Sequence, residues 1–208
     1  MSQPQEHTIK IIILGSSSVG KTCILQKGFE NEFNTNALST IGIDFKTKYF
    51  KFDEDRVKVN YIDTAGQEKF RAISVNYLKG TDGAVLVFDI TKKDTFELIG
   101  TWIDDIRENN KMNIGKMLIG NKADLEDERE VTKEEGEKLA QLLQCKYYET
   151  SAKTGQNINE SLDEIAKLTY SIWKKSSDNR NSIRISADDS VGKPSITGDK
   201  KKGCCIII

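Results

Sequence analysis

The chain has 208 residues, of which 37% are hydrophobic and 30% are charged, and its formal net charge is −1. These values are ordinary for a folded domain in water, and the length fits one domain followed by a tail. The small net charge predicts no general attraction to nucleic acid or to anionic lipid. No run approaches the roughly 20 apolar residues that span a bilayer, and the polar N-terminus lacks the apolar core of a secretory signal. We therefore expect a cytosolic chain with reduced thiols.

Segments with strand patterns and segments with helix patterns alternate up to residue 175. Apolar and alternating runs predict strands at 9–14, 44–50, 56–62, 84–89, 116–120 and 146–150. Helical spacing predicts helices near 21–30, 68–79, 94–109, 133–143 and 157–174. Only a short acidic link separates the second strand from the third, so we expect a hairpin there. The alternation predicts an α/β fold with a six-stranded, mostly parallel sheet, one antiparallel strand and helices on both faces.

The predicted domain organisation has three parts. Residues 1–8 are a polar leader, which we expect to be flexible, and 9–175 form the folded domain. Residues 176–208 are rich in Ser, Asp, Asn, Gly and Lys, a composition too polar to bury a core, so we expect a disordered tail. We expect His7, in the leader, to be solvated. We expect Cys23 and Cys145 to be small, partly buried residues rather than disulfide partners.

Residues 15–22, GSSSVGKT, match the phosphate-loop pattern G-x-x-x-x-G-K-[ST] and stand between the apolar run IKIIIL and a helical pattern. In such a loop, backbone N–H groups surround a phosphate at the N-terminus of a helix. Lys21 is placed to bridge the β- and γ-phosphates, and the Thr22 hydroxyl is placed to hold Mg²⁺. The candidate nucleotide-binding residues of this loop are Ser17, Ser18, Val19, Gly20, Lys21, Thr22 and Cys23.

A second motif, DTAGQE at 63–68, follows the third predicted strand. Asp63 is placed to hold Mg²⁺, and Gly66 can bring its backbone N–H close to a γ-phosphate because it has no side chain. Gln67 can orient an attacking water. This segment is therefore the candidate for metal binding and hydrolysis.

Two further motifs, NKAD at 121–124 and SAK at 151–153, predict which base is bound. The Asp124 carboxylate can accept hydrogen bonds from N1 and N2 of guanine. Adenine lacks this pair of donors, and comparable polar sites discriminate by roughly 10⁴-fold. Asn121 can contact the base edge and connect loops, and the Lys122 stem can pack over the ring. The candidate residues of the SAK motif are Ser151, Ala152 and Lys153, with the Ala152 N–H as a donor to guanine O6.

The order GSSSVGKT, DTAGQE, NKAD, SAK resembles the small GTPases of the Ras superfamily over residues 9–174. STIGIDFK at 39–46, together with DTAGQEKFRAI at 63–73, resembles the Rab branch, and most closely its exocytic, secretory-vesicle type. The resemblance implies the P-loop NTPase fold, bound GTP or GDP with Mg²⁺, and slow GTP hydrolysis that an activating protein accelerates. It also implies a switch that recruits effectors in the GTP state during vesicular membrane trafficking.

The resemblance assigns further residues. Thr40 is similar to the switch threonine that binds Mg²⁺ when a γ-phosphate is present, and Phe33 is similar to an aromatic that packs against guanine. The switch segments would be 34–45 and 65–79, and the catalytic roles would fall on Gln67 and Lys21. The implied effector surface consists of Ile41, Gly42, Phe45, Ile62 and Tyr77.

Three positions depart from the family pattern and leave alternatives open. Ser17 and Ser18 place side chains near the γ-phosphate, which motivates a GTP-binding recruitment module with little hydrolysis as the alternative function. Ile62 stands where Rabs usually carry a tryptophan, so effector choice stays open. Lys69 replaces a more common arginine and loses its bidentate bonding. A P-loop ATPase or nucleotide kinase is a third class, against which NKAD argues.

The chain ends GCCIII, and its last four residues also fit the C-a-a-X prenylation pattern. The resemblance implies geranylgeranyl groups on Cys204 and Cys205; whether one or both carry lipid stays open. One lipid chain gives marginal membrane binding and two give stable anchoring. The implied location is the cytoplasmic face of intracellular membranes and transport vesicles, with a cytosolic pool. The resemblance implies that the chain is a monomer. Its implied partners are an exchange factor, an activating protein, a GDP-dissociation inhibitor or escort protein, and effectors, but no nucleic acid.

Overall fold

The computed structural model describes residues 6–33, 42–64, 71–110 and 113–188. The chain divides into two compact units, residues 1–174 and 175–208. The strands are β1 Glu6–Leu14, β2 Ile43–Phe52, β3 Asp55–Thr64, β4 Gly83–Asp89, β5 Gly115–Asn121 and β6 Lys146–Thr150. The helices are α1 Lys21–Glu30, α2 Arg71–Leu78, α3 Lys93–Glu97, α4 Ile99–Asn109, α5 Lys133–Leu142 and α6 Ile158–Asp188, and a 3-10 turn spans Glu126–Glu128.

The strands form one sheet in the order β2-β3-β1-β4-β5-β6. The pairs β1–β3, β1–β4, β4–β5 and β5–β6 are parallel, and β2 pairs antiparallel with β3. The predicted six-stranded, mostly parallel sheet and its hairpin are therefore confirmed. Because five parallel strands end at the same edge, the loops that follow them meet there.

A hydrophobic core lies on each face of the sheet. On one face, alternate residues of β1 and β3 such as Ile11 and Val59 pack with residues of α1 and α6 such as Ile24 and Ile165. On the other face, Leu14 and β4 residues such as Phe88 pack with α4, including Trp102 and Ile103. All residues of β4 are buried, as expected for a central strand that is covered on both sides.

Among the differences from the predicted elements, three are the largest. β1 begins at Glu6 because β3 extends far enough to pair with it, His7 lying opposite Val57. The expectation that His7 is solvated is wrong: its side chain is half-buried, and its ring centroid lies 4.6 Å from that of Trp173. The predicted helix 94–109 is divided into α3 and α4, with Leu98 between them.

The third difference concerns α6, which continues past Lys174 to Asp188. Over these residues the backbone is helical, not the disordered segment that we expected. The segment 175–188 contains neither glycine nor proline. Extending a helix costs much less than starting one, so a polar continuation without breakers keeps the helical backbone.

Candidate nucleotide-binding site

The loop between β1 and α1 curves tightly and keeps a lysine folded over it. Gly20 has φ +95°, and a Cβ atom there would lie 2.3 Å from Asn121 Nδ2, so only glycine fits. The buried Lys21 side chain turns back and donates from Nζ to the carbonyl oxygens of Gly15 and Ser16, both at 2.8 Å. Its positive charge is thus placed inside the loop, where an anion would be surrounded by backbone N–H groups.

Thr22 and Asp63 come together beside this loop from two different strand ends. Thr22 Oγ1 donates to Asp63 Oδ2 at 2.6 Å. Asp63 is only 2% exposed, and its second carboxylate oxygen, Oδ1, has no hydrogen-bond partner among the described residues. Burial raises the pKa of Asp63, while the Thr22 hydroxyl and Lys21 act in the opposite direction. A hydroxyl and a buried carboxylate with a spare oxygen are hard oxygen ligands, which fit Mg²⁺.

Asn121, at the end of β5, connects three loops. Its Nδ2 donates to the Val19 carbonyl of the phosphate loop at 2.8 Å. Its Oδ1 accepts from Thr150 Oγ1 at 3.1 Å and from the Ala152 N–H at 3.3 Å. The connecting role that the sequence suggested for Asn121 is therefore present. The Ala152 N–H, our candidate donor to a base oxygen, makes this long bond to Asn121.

Asp124 and Ser151 meet where the loops after β5 and β6 approach each other. Ser151 Oγ donates to Asp124 Oδ1 at 2.6 Å and accepts from the Thr154 N–H at 3.1 Å. Lys153 Nζ lies 3.8 Å from Asp124 Oδ2, and the Asp124 side chain is 14% exposed. The hydroxyl of the buried Ser151 therefore fixes the orientation of the Asp124 carboxylate.

A buried ion pair that the sequence analysis missed holds Lys122. Its Nζ lies 2.5 Å from Oδ2 of Asp89, a side chain that is 1% exposed. The other oxygen, Oδ1, accepts from the backbone N–H and the hydroxyl of Thr91, at 3.0 and 2.8 Å. The sequence contained one indication that Asp89 belongs to the site: it directly ends the apolar run of β4, at the edge where ligand loops lie.

The remaining predicted residues fall into two groups. Within the described chain, Ser17 is half-buried, Ser18 is exposed with φ +63°, Val19 is buried and Cys23 is partly buried. Phe33 is 38% exposed. Outside the described residues lie Thr40, Ile41, Gly66, Gln67, Cys204 and Cys205.

The implied effector surface is only partly present as an exposed face. Phe45 and Tyr77 are 52% and 40% exposed, and their ring centroids lie 6.0 Å apart. Gly42 has φ +90°. Ile62, in contrast, is 2% exposed and belongs to the core beneath α4. Ile62 is therefore not exposed in this structure, because its aliphatic side chain packs in the core that includes Leu14 and Leu78; its part in effector binding stays a prediction.

Comparison with known proteins agrees with this arrangement. The family model described as the Ras family matches residues 10–171. Ras-related protein Rab-8 of Diplobatis ommata is 39% identical over 202 residues, which cover 97% of this chain and 96% of the relative. Ras-related protein Rab-13 of Mesocricetus auratus is 38% identical over 201 residues, with the same coverage. Ras-related protein Rab-8B of Homo sapiens is 42% identical over 167 residues, 80% of this chain and 81% of the relative.

Proposed function

Because this chain belongs to the Ras family and is a Rab-type small GTPase of the secretory type, we propose that the loops described above form its GTP site. Hydrolysis of GTP and action in vesicle trafficking follow from the family, and a recruitment module with little hydrolysis is not favoured. The observation that carries the residue assignment is the network around Asn121, which joins the phosphate loop to the loops after β5 and β6.

The phosphate end of the nucleotide is assigned to Ser17, Ser18, Val19, Gly20, Lys21, Thr22 and Cys23. Lys21 would stabilise the negative charge on the β- and γ-phosphates, since its ammonium lies within the loop. Thr22 and Asp63 would hold Mg²⁺, together with Thr40. The Mg²⁺ ion would neutralise the charge that develops on the phosphate oxygens.

The base end is assigned to Asn121, Lys122, Asp124, Ser151, Ala152 and Lys153, with Phe33 against the ring. Asp124 would accept two hydrogen bonds from the guanine edge, in the orientation that Ser151 fixes. Lys122 would pack its stem over the ring while Asp89 holds its ammonium. Guanine selectivity would come from the cost of leaving Asp124 unpaired beside another base.

Hydrolysis and switching are assigned to residues outside the described ranges. Gln67 would position the attacking water, and Thr40 and Gly66 would contact the γ-phosphate, so that loss of this group relaxes both switch segments. None of the four site motifs contains an arginine, so a GTPase-activating protein would accelerate the reaction by about 10³–10⁵. An exchange factor, a GDP-dissociation inhibitor or escort protein, and effectors would complete the cycle.

Membrane attachment is assigned to Cys204 and Cys205 through prenyl groups, which would place the chain on the cytoplasmic face of intracellular membranes and vesicles. In the described part of the chain, no helix is both long enough and apolar enough to cross a bilayer. Phe45 and Tyr77 would form the aromatic part of the effector surface.

The base assignment is tested by Asp124→Asn in the full chain. An amide cannot accept from both guanine donors, so we expect GTP affinity to fall by at least about tenfold, the scale of one lost charged hydrogen bond. We also expect xanthosine triphosphate (XTP) to bind to this variant better than GTP does. Asp127→Asn removes the same charge from the exposed turn that follows and should leave both affinities unchanged. Competition measurements with GTP, XTP and ATP give the answer. Unchanged preference for GTP in Asp124→Asn would remove Asp124 from the base site.

A further inference from the structure

The part of the sheet formed by β1, β2 and β3 has one face that stays open to solvent near the β2–β3 turn. Register places side chains in rows across the three strands, with Tyr49 opposite Lys58 and Lys58 opposite Thr8. Tyr49, Lys51, Arg56 and Thr8 are exposed and Lys58 is half-buried. Alternate residues of the same strands, such as Val57 and Val59, are fully buried on the other face. The open face is therefore a flat, solvent-facing area of the sheet.

This face carries unpaired positive charge. Lys10, Lys51, Arg56 and Lys58 lie on it, and none has an ion-pair partner among the residues that the structure describes. Register places one acidic residue, Glu6, at a corner opposite Arg56. The Arg56 guanidinium carbon lies 5.0 Å from the centroid of the Tyr49 ring, so the aromatic shares this charged area. We call Lys10, Tyr49, Lys51, Arg56 and Lys58 the open basic face.

Lysines on the opposite side of β2 behave differently. Lys46 pairs with Glu30 at 2.5 Å, and Lys48 pairs with Asp163 at 2.7 Å. The fold thus neutralises the lysines that point toward α1 and α6, whereas the basic side chains of the open face have no ion-pair partner among the described residues. One carboxylate borders the face, since Asp82 Oδ2 accepts from the Lys10 backbone N–H at 2.9 Å. Strands about 5 Å apart and alternate residues about 7 Å apart keep neighbouring charges of this face within one Debye length of about 10 Å, so the potentials of neighbours add. The net charge of −1 for the whole chain does not reveal this local concentration of positive charge.

The first compact unit ends at the same end of the sheet as Lys51 and Arg56, on the side of α6, which packs against the opposite face. Lys174, its last residue, lies 3.2 Å from Asp55 and 3.5 Å from Asp53 at the β2–β3 turn. Tyr170, one helical turn earlier, donates to Asp55. The chain therefore leaves the folded unit at the end of the sheet that bears Lys51 and Arg56.

We propose that the open basic face binds the anionic headgroups of a lipid bilayer. A flat area without a groove suits an extended charged surface, and tyrosine is favoured where an apolar ring and a hydroxyl meet the membrane–water boundary. The face shares one end of the sheet with Lys174, the last residue of the first unit. The proposal goes beyond attachment by lipid, because it gives the folded unit its own contact and orientation. It does not depend on the nucleotide site.

Binding of the unlipidated full chain to vesicles tests the proposal. The vesicles contain phosphatidylcholine with or without phosphatidylserine, and binding is measured by co-sedimentation at low and high salt. Each surface charge contributes about fivefold to affinity for anionic lipid, so Lys51→Gln with Lys58→Gln should weaken binding by about 25-fold. The matched control is Lys138→Gln with Lys167→Gln, which removes two exposed lysines of α5 and α6 and changes the net charge equally. The control should stay within about twofold of the wild type, because screening limits distant charges.

The outcomes separate the possibilities. Equal loss in both double variants, no phosphatidylserine dependence in the wild type, or insensitivity to salt would each overturn the proposal. Melting temperatures confirm that both double variants remain folded. A soluble poly-glutamate probe covers the other class of partner: if the chain bound that peptide through Lys51 and Lys58 but did not bind vesicles, the face would be a protein-docking surface, and the lipid assignment would fail.

Discussion

Asp89 acts on the proposed base site through another residue. Lys122 has φ +68°, a backbone conformation that residues other than glycine, asparagine and aspartate rarely adopt. The buried Asp89 carboxylate holds the Lys122 ammonium at 2.5 Å, and Thr91 in turn holds Asp89. This chain of contacts fixes the lysine stem before any ligand arrives, which reduces the ordering that nucleotide binding requires.

Asp89→Asn should therefore speed the release of bound guanine nucleotide. The Lys122–Asp89 ion pair has one buried and one partly exposed partner, so its loss should cost between the roughly 1 kcal/mol of an exposed pair and the roughly 3 kcal/mol of a buried one, which predicts dissociation of GDP about tenfold faster. Because Lys122 would contact the face of the ring rather than its edge, inosine diphosphate should be released faster by the same factor. Dissociation rates measured with both nucleotides check this. Asp104→Asn, at an exposed position of α4, serves as the control; an effect limited to GDP would contradict the role given to Lys122.

Some residues of the site could be predicted from the sequence because the motif itself fixes their geometry. Thr22 follows Lys21 at the start of a helix, and Asp63 follows a strand that is parallel to β1, so their meeting follows from chain order. Asp89 could not be assigned to Lys122 in this way, because their contact depends on the register that places Asp89 opposite Asn121. The burial of Ile62 could not be predicted for a related reason: it depends on what covers the sheet.

Helix α6 lies unusually close to the starts of β4 and β5. A Cβ atom on Gly83 would lie 2.4 Å from Thr169 Oγ1, and one on Gly115 would lie 2.6 Å from the same atom and 3.1 Å from Thr169 Cα. The hydroxyl of Thr169 is buried and has no hydrogen-bond partner among the described residues. The two glycines therefore set the spacing between sheet and helix.

Gly83→Ala and Gly115→Ala should each destabilise the fold by about 1–3 kcal/mol, the usual cost of overpacking. Thr169→Ala should rescue much of the Gly83→Ala loss, since that clash is with side-chain atoms. It should rescue less of the Gly115→Ala loss, because there the backbone of α6 is in the way. Denaturant unfolding at fixed nucleotide concentration gives the coupling energies. Gly100→Ala on α4, where a Cβ would meet nothing within 4 Å, is the control; equal rescue of both glycine variants would refute this packing account.

The start of α5 is held by a capping box that responds to pH. Thr132 Oγ1 accepts from the Glu135 N–H at 3.2 Å, and Glu135 Oε2 accepts from the Thr132 N–H at 2.9 Å. Glu135 also pairs with Lys93 of α3. The Lys93 ammonium, followed by the Thr132 N–H, lowers the pKa of Glu135 below its usual 4.5.

A carboxylate with a lowered pKa stabilises the fold above its unfolded-state pKa, and this stabilisation is lost as pH falls through the folded-state value. Glu135→Gln should therefore lower the free energy of unfolding at neutral pH, and the difference from wild type should shrink as the solution is acidified below pH 4.5. Chemical unfolding over a pH series measures this. Glu134→Gln, in the same turn, is the matched control. A difference for Glu135→Gln that stayed constant with pH would show that its charge does not matter.

Element types were predictable along most of the chain, and element ends were less so. The hairpin of β2 and β3 follows from a short acidic link between two alternating runs, which is local information. The true start of β1 at Glu6 depends on a partner strand that is far away in sequence. Likewise, α6 continues beyond its apolar stripe because nothing in 175–188 stops it, whereas periodicity marks only the part of a helix that is packed.

Over the whole molecule, the parallel strands bring separate loops to one edge, and a few polar contacts join them there. Asn121 connects the loops after β1, β5 and β6, and the Thr22–Asp63 contact adds the end of β3. Asp63 is the costly member of this set, since a buried carboxylate oxygen without a partner destabilises the protein that holds it. Such a cost is expected where a bound cation later supplies the missing contact.

Asp63→Asn should therefore separate the stability of the empty protein from that of the complex. Without nucleotide, the variant should melt at the same temperature as wild type or higher, because the buried charge is gone. With GDP and Mg²⁺, wild type should gain about 2.7 kcal/mol at a ligand concentration one hundred times Kd, and the variant should gain clearly less. Chelating Mg²⁺ should lower the melting temperature of the wild-type complex and hardly affect the variant. Asp104→Asn, which removes an exposed carboxylate of α4, should behave like wild type; if the chelator acted equally on wild type and Asp63→Asn, the metal would not be held by Asp63.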